Sequence, residues 1–343
     1  MTTPPFQSLP VLGLMLGDAT GIGPEQCARI LADRRTADVA RLLVVGDARV
    51  LEQGMRDAGV ALAWHVYGTP EDVDWERHEI PIIDLHNLDP GSIRRGAVSA
   101  ESGRVSGATL AHMIELALAQ RLDGIVFAPL NKGALHAGGW RFNDEHQMFA
   151  HLTRHDGFFG EMNVLDNLWM SRVTSHVSLR TALEQITPAR IDAALSLADA
   201  TMRSAGFTTP RIAVSALNPH GGEGGLFGRE EIEIIAPAVA EAAQRGIACK
   251  GPYPADTVFL KAFGGEFDGV LTMYHDQGQI ATKLKGFNRG VTVTGGLKTV
   301  FTTPAHGTAF DIVGQGIAAT GALEQAVRVG ARLAASRSER VAA

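Results

Sequence analysis

Short apolar runs alternate with longer amphipathic stretches along this chain, and most of the runs stop at a glycine, an asparagine or a charged residue. Runs at 11–16, 42–45, 81–85, 125–128, 211–217 and 268–272 predict buried strands. The stretch 172–180 predicts a further strand that leads into a helix near Thr181. Between them, periodic patterns predict helices over 51–58, 99–120, 191–205, 230–243 and 323–335, and another through Met148, Phe149 and Leu152. After the first strand, Gly17 to Gly23 form a glycine-rich turn, and Pro24 suits the first turn of a helix carrying Cys27, Ala28, Ile30 and Leu31. That turn is either an anion site at a helix N-terminus or a tight turn needing glycine backbone angles. It lacks both GxGxxG and GK[ST]. Strands alternating with helices predict an α/β fold with a largely parallel sheet.

Length and composition narrow the class. A chain of 343 residues is long enough for two domains with sizeable cores. A net charge of −6 gives no basic footprint for nucleic acid and no polybasic stretch for an anionic membrane. Cys27 and Cys249 lack CxxC spacing, which fits a reducing cytoplasm and excludes a disulfide framework or cysteine zinc site. No signal peptide and no apolar run of membrane-spanning length are evident, so a cytoplasmic protein is expected.

The chemistry gathers where strands end. Met273-Tyr274-His275-Asp276-Gln277-Gly278 follows the run 268–272 directly, with Lys283 eight residues beyond His275. His176 and His220 likewise follow short apolar runs, His220 inside a loop of glycines. A lone histidine in such a place is usually structural. Three of them, with no cysteine ligands available, fit a three-imidazole divalent metal site with open positions for a substrate oxygen. Asp144, Glu145 and His146 form either a ligand cluster or a helix start. Capping is the better reading, since Asn143 or Asp144 suits an N-cap and acidic residues suit a first turn.

The stretches Asn218-Pro219-His220-Gly221-Gly222-Glu223-Gly224-Gly225, Pro254-Ala255-Asp256-Thr257 and Tyr274-His275-Asp276-Gln277-Gly278 resemble the 4-hydroxythreonine-4-phosphate dehydrogenase family, and the likeness runs from Gly17-Asp18 to His306-Gly307-Thr308-Ala309. The resemblance implies a two-domain fold related to isopropylmalate dehydrogenase, with the active site in the interdomain cleft at a homodimer interface. The expected division is 1–130 with 297–343 as one domain, and 131–296 as a second that carries the metal ligands and dimer contacts. It implies that His176, His220 and His275 bind one divalent metal (Zn, Mg, Mn or Co), with His275 coming from the partner subunit. Lys283 matches the family's substrate lysine and is expected, with Asp256 and Asp276, among the catalytic residues. His306, Gly307, Thr308, Ala309 and Asp311, together with Gly295, are the expected cofactor residues. Asp311 would accept from a ribose 2′-hydroxyl, which favours NAD over NADP.

Departures from the family bear on the substrate. A Gly-His-Thr-Glu stretch, an Asn and an Arg help hold phosphate in the phosphate-handling members. Here those positions hold Asp144-Glu145-His146-Gln147, Thr292 and Phe301. Loss of a bidentate guanidinium and gain of carboxylates disfavour a phosphate dianion. Glu145, His146, Thr292 and Phe301 are therefore expected to line an altered substrate pocket, with the Trp140–Phe142 region suiting a flatter ligand. The expected activity is NAD- and metal-dependent oxidative decarboxylation of an unphosphorylated carboxylated diol, such as an aromatic-acid cis-dihydrodiol. The alternatives are a dehydrogenase of a phosphorylated hydroxy acid (4-hydroxythreonine 4-phosphate, or threonate or erythronate phosphate) and a metal- and nucleotide-binding protein without turnover. In the phosphate alternative, Lys132, Arg141, Lys285, Arg289 or Lys298 would supply the charge.

Overall fold

The computed structural model describes residues 9–286 and 289–342. Among them are twelve strands: β1 (Val11–Met15), β2 (Arg41–Gly46), β3 (Trp64–Val66), β4 (Ile80–Asp84), β5 (Gly124–Phe127), β6 (Gly160–Leu165), β7 (Leu168–Arg172), β8 (Ile212–Ser215), β9 (Cys249–Tyr253), β10 (Gly269–Thr272), β11 (Val291–Gly295) and β12 (Phe301–Pro304). The chain divides into two compact units, 1–155 with 297–343, and 156–296. No helix among the described residues is long and apolar enough to cross a membrane.

The first unit holds strands in the order β3-β4-β2-β1-β5-β12, all parallel. Leu12, Leu14, Leu43, Val44, Ile82 and Val126 are wholly buried, as expected of a parallel sheet covered on both faces. Four of its helices start at side-chain caps that the sequence supplies. Asp47 caps Ala48–Ala58, Ser99 caps Ala100–Leu118, Asn131 caps Lys132–Ala137 and Asp144 caps Glu145–Leu152. The stretch 131–155, assigned from the sequence to the other domain, lies in this unit. The cause is a close helix contact: a Cβ on Gly103 would stand 1.8 Å from the Ala134 carbonyl oxygen, so only glycine lets Ala100–Leu118 meet Lys132–Ala137.

The second unit has the order β11-β6-β7-β10-β8-β9. β6 runs antiparallel to β11 and β7, whereas β7, β10, β8 and β9 are mutually parallel neighbours. The strand expected over 172–180 instead ends at Arg172. Beyond it, Val173 and Thr174 still donate to the carbonyls of Thr272 and Met273, so an extended but irregular segment continues beside the exit of β10.

Candidate active site

Parallel strands put their carboxyl ends on one side, and in the second unit those ends deliver the three histidines. His176 follows β7, His275 follows β10 and His220 follows β8, and these strands are neighbours in the order β7-β10-β8. The His176 and His275 rings lie 5.6 Å apart between centroids. Asp276 Oδ1 stands 2.7 Å from His275 Nδ1 and orients that ring. The Gln277 amide accepts from the Met273 N–H at 2.9 Å and donates to the Ala216 carbonyl at 2.9 Å. One side chain thus ties the exit of β10 to that of β8.

The His220 loop is held open by unusual backbone. His220 to Gly224 all have positive φ, including 54° at His220 and 44° at Glu223. Left-handed non-glycine residues cost roughly 1–2 kcal/mol each, so something must secure them. Glu231 does this from beneath: its Oε1 accepts from the Leu217 and Asn218 N–H groups, both at 2.8 Å, and its Oε2 accepts from the Asn218 amide at 2.9 Å. Burial pushes the Glu231 carboxyl up, but the hydrogen bonds from Asn218 and Leu217 outweigh it and hold the group below its ordinary value.

Within one chain the three imidazoles do not close into a ligand set. Among the described residues, the one group of three metal-competent ligand atoms within 4.8 Å of one another is Asp47, Asp84 and His86 in the first unit. Those carboxylates are spent on backbone. Asp47 accepts from Arg49 N at 3.0 Å and Leu88 N at 2.8 Å and pairs with the Arg49 guanidinium. Burial would raise its pKa, yet Arg49 and the two N–H groups hold it below the ordinary carboxylate value. Asp84 accepts from Ala48 N at 3.1 Å and His86 N at 3.0 Å. The group is turn architecture at the ends of β2 and β4.

The other expected site residues fall in distinct places. Lys283 is exposed on the helix His275–Gly286 and forms no ion pair among the described residues. Asp256 is exposed just ahead of the helix Val258–Phe263. Gly295 is buried at the end of β11, where a Cβ would meet Thr201 Oγ1 at 2.8 Å; its smallness serves packing on the helix Pro188–Ser204.

In the first unit, the loop 306–309 seats on the glycine-rich turn. Ile22 N donates to the Thr308 carbonyl at 3.1 Å, and a Cβ on Gly21 would strike Thr308 Cβ at 2.7 Å. His306 Nε2 lies 3.3 Å from Gln26 Nε2, and burial lowers the His306 pKa so that the ring is held neutral. Gly307 has open space where a side chain would be. Asp311 is exposed. The turn itself contains a buried carboxylate: Asp18 Oδ1 accepts from Thr20 N, the Thr20 hydroxyl and the Ser102 hydroxyl at 2.9, 2.7 and 2.6 Å. A turn already filled by a carboxylate favours the tight-turn reading over an anion site.

The residues taken as an altered substrate pocket are mostly structural. Phe301 is 1% exposed and stacks on Phe149 at 4.1 Å, which is core packing. His146 is buried edge-on to the same Phe149. Asp144 accepts from Gln147 N at 2.9 Å as a helix cap. Glu145 pairs with Lys132 at 3.4 Å. Thr292 is buried, and Asn163 Nδ2 donates to its hydroxyl at 3.1 Å. Asn163, Glu161, Arg172 and Gln279 are polar side chains the sequence reading passed over; the alternation Glu161-x-Asn163 was their signal.

Comparison with known proteins bears on the substrate. A protein of Pseudomonas aeruginosa, provisionally named 4-hydroxythreonine-4-phosphate dehydrogenase 2, is 48% identical over 95% of this chain and 97% of its own. D-threonate 4-phosphate dehydrogenase of Cupriavidus necator is 41% identical over 96% of this chain and 99% of its own. The crystal structure of a 4-hydroxythreonine-4-phosphate dehydrogenase from Burkholderia phymatum matches with a TM-score of 0.80 at 39% identity, covering 95% of this chain and 98% of that one. All three names carry a phosphorylated acid, which backs the phosphorylated-acid alternative better than the expectation of an unphosphorylated diol. The Asp144 and Glu145 carboxylates that argued against phosphate are committed to a helix cap and to Lys132, and Phe301 is core. The sequence profile described as pyridoxal phosphate biosynthetic protein PdxA spans residues 38–330, and with relatives matching almost end to end, the chain belongs to the PdxA family.

Proposed function

We propose that this protein is a homodimeric, NAD- and divalent-metal-dependent dehydrogenase of a phosphorylated hydroxy acid, in the class of D-threonate 4-phosphate or 4-hydroxythreonine 4-phosphate, and that oxidation is followed by loss of CO2. Its fold is read as isopropylmalate dehydrogenase-like, with the active site in the interdomain cleft. Two buried free cysteines, Cys27 and Cys249, fit a cytoplasmic setting.

The observation that carries the reading is the set of three strand exits. His176, His220 and His275 leave adjacent parallel strands, and large apolar side chains stand exposed within nine residues after each of them: Val177 and Leu179, Leu226 and Phe227, Ile280 and Leu284. Exposed apolar groups clustered around metal-type ligands fit a subunit interface. The donor set fits a divalent metal, because three neutral imidazoles leave positions open for substrate oxygens. A second subunit supplying His275 accounts for why one chain alone does not close the set. When bound, the metal would act as a Lewis acid toward the substrate hydroxyl and the developing oxyanion.

The chain's own residues do the rest. Asp276, against His275 Nδ1, fixes the tautomer that presents Nε2 as a lone pair. Lys283, exposed two turns along the same helix, holds the substrate's negative charge or moves a proton. The loop His306–Ala309 receives the adenosine end of NAD, with Gly307 allowing close approach and Asp311 accepting from the ribose 2′-hydroxyl. The test is NADH formation by purified, metal-loaded protein with D-threonate 4-phosphate, 4-hydroxythreonine 4-phosphate and unphosphorylated carboxylated diols. Turnover confined to the phosphorylated acids supports the reading, and turnover confined to the diols overturns it.

A further inference from the structure

One face of the second unit's sheet carries polar side chains where apolar ones are expected. Asn163 lies opposite Thr292, and Glu161 lies opposite Thr294, across β6 and β11. Residues two apart on a strand share a face, so Glu161 and Asn163 point the same way. Arg172, at the end of β7, reaches both: its Nη2 donates to Asn163 Oδ1 and lies 3.4 Å from Glu161 Oε1. The helix His275–Gly286 covers this face, with Thr282 against Met170 and Gln279 against Asn163. Asn163, Arg172, Thr292 and Thr294 are all at least nine-tenths buried.

Such a cluster is a poor way to stabilise a sheet. A buried ion pair rarely repays its desolvation, and well-packed apolar residues do as well or better. The arrangement also leaves the guanidinium partly unused. Arginine has five N–H donors. With the Gln279 amide oxygen turned inward, it accepts from Nη1 at 3.3 Å and from Nη2 at 3.1 Å, in place of the amide's donation to Asn163. The Nε–H still has no acceptor among the described residues. Lys283 follows Gln279 by four residues, so it sits on the same side of the helix one turn on. Glu161 Oε2 also stands 3.8 Å from His176 Nε2, so the cluster reaches the first of the three histidines.

We infer that Arg172 is a specificity-determining residue: its guanidinium, pre-set by Glu161, Asn163 and Gln279, takes an anionic oxygen group of the substrate alongside Lys283. This deepens the functional reading above and rests on its premise of an anionic hydroxy acid. The ligand chemistry is a phosphoryl or carboxylate group, matched by a planar donor fork.

The test uses the metal-loaded protein with NAD and D-threonate 4-phosphate, comparing wild type, Arg172→Lys, Arg172→Gln and the double variant Glu161→Gln/Arg172→Gln. Inorganic phosphate serves as competitive inhibitor. Loss of charge-assisted hydrogen bonds predicts a roughly 10- to 100-fold rise in KM for the acid and in the phosphate inhibition constant for both glutamine variants. Shifts in kcat and in the KM for NAD stay below about threefold, and lysine recovers part of the loss. The double variant removes both charges of the pair together and stays similar in shape, so its melting temperature stays near wild type and separates a lost anion contact from a failed fold. A folded double variant with unchanged KM and phosphate inhibition overturns the inference. If the wild type oxidises no phosphorylated acid, the functional reading fails while this one is still decided by thermal shift with inorganic phosphate and with an unphosphorylated carboxylated diol. A shift with either probe that the double variant loses sustains Arg172 as the anion residue and tells phosphoryl from carboxylate. Equal shifts in both proteins, or none, overturn it.

Discussion

Two sets of strand exits use similar residues to opposite ends. Where β1, β2 and β4 finish, the carboxylates of Asp18, Asp47 and Asp84 are turned back onto the chain, accepting from N–H and hydroxyl groups of their own and neighbouring turns. Beyond the ends of β7, β8 and β10 come imidazoles that stay exposed or half-buried, while Glu231 and Gln277 brace the exits. A carboxylate spent on backbone donors is a structural part, whatever its resemblance to a metal ligand. An imidazole whose loop is secured by other groups is left available for chemistry. Proximity of ligand-type atoms therefore points to one unit, and an account of where each lone pair goes points to the other.

Replacing a histidine of the second unit should show the largest effect. His275→Ala or His220→Ala is expected to abolish stoichiometric metal by elemental analysis and to lower NADH formation roughly a thousandfold or more. Either variant retaining full metal would break the comparison. Asp47→Ala should do the reverse. Losing the helix cap and orphaning the Leu88 N–H costs about 2–4 kcal/mol in denaturant unfolding, with metal content and KM unchanged. Metal loss in that variant would restore Asp47, Asp84 and His86 as a rival centre. Gln277→Ala comes next. Removing the tie between the exits of β10 and β8 is expected to cost about 1–2 kcal/mol and to weaken metal binding roughly tenfold in chelator competition.

The smallest effect concerns pH. Burial lowers the His306 pKa from its ordinary 6.5, so the fold prefers the neutral ring. The unfolded chain binds that proton more readily. The stability His306 contributes is therefore present above 6.5 and is lost as pH falls through the folded value. His306→Gln should melt with a shallower decline on acidification. An equally steep decline would place the acid sensitivity elsewhere.

Much of this was legible in the sequence, for identifiable reasons. β1, β2, β5, β8 and β10 are buried on both faces, so each reads as an apolar run, and the histidine after β8 or β10 is visible as soon as the run is seen. β9 was missed because Cys249–Tyr253 is half-buried and contains Gly251-Pro252. β6 was missed because Glu161 and Asn163 interrupt it. The aromatic pair Phe149 and Phe301 meets through packing between residues far apart in sequence, so Phe301 looked like a pocket wall rather than core. Arg172 meets Asn163, and Asn163 meets Thr292, only through the antiparallel register of β11, β6 and β7, which no local pattern encodes.

Gln277 braces the exits through main-chain partners alone, the Met273 N–H and the Ala216 carbonyl. Nothing in that grip depends on the identity of a neighbouring side chain. The distance between the two strand exits is thus insulated from substitutions around it. A lineage built on this frame is free to exchange the residues around the two exits, one by one, while the spacing of the exits stays put. Variation at the strand ends becomes accessible by mutation without the sheet having to be rebuilt.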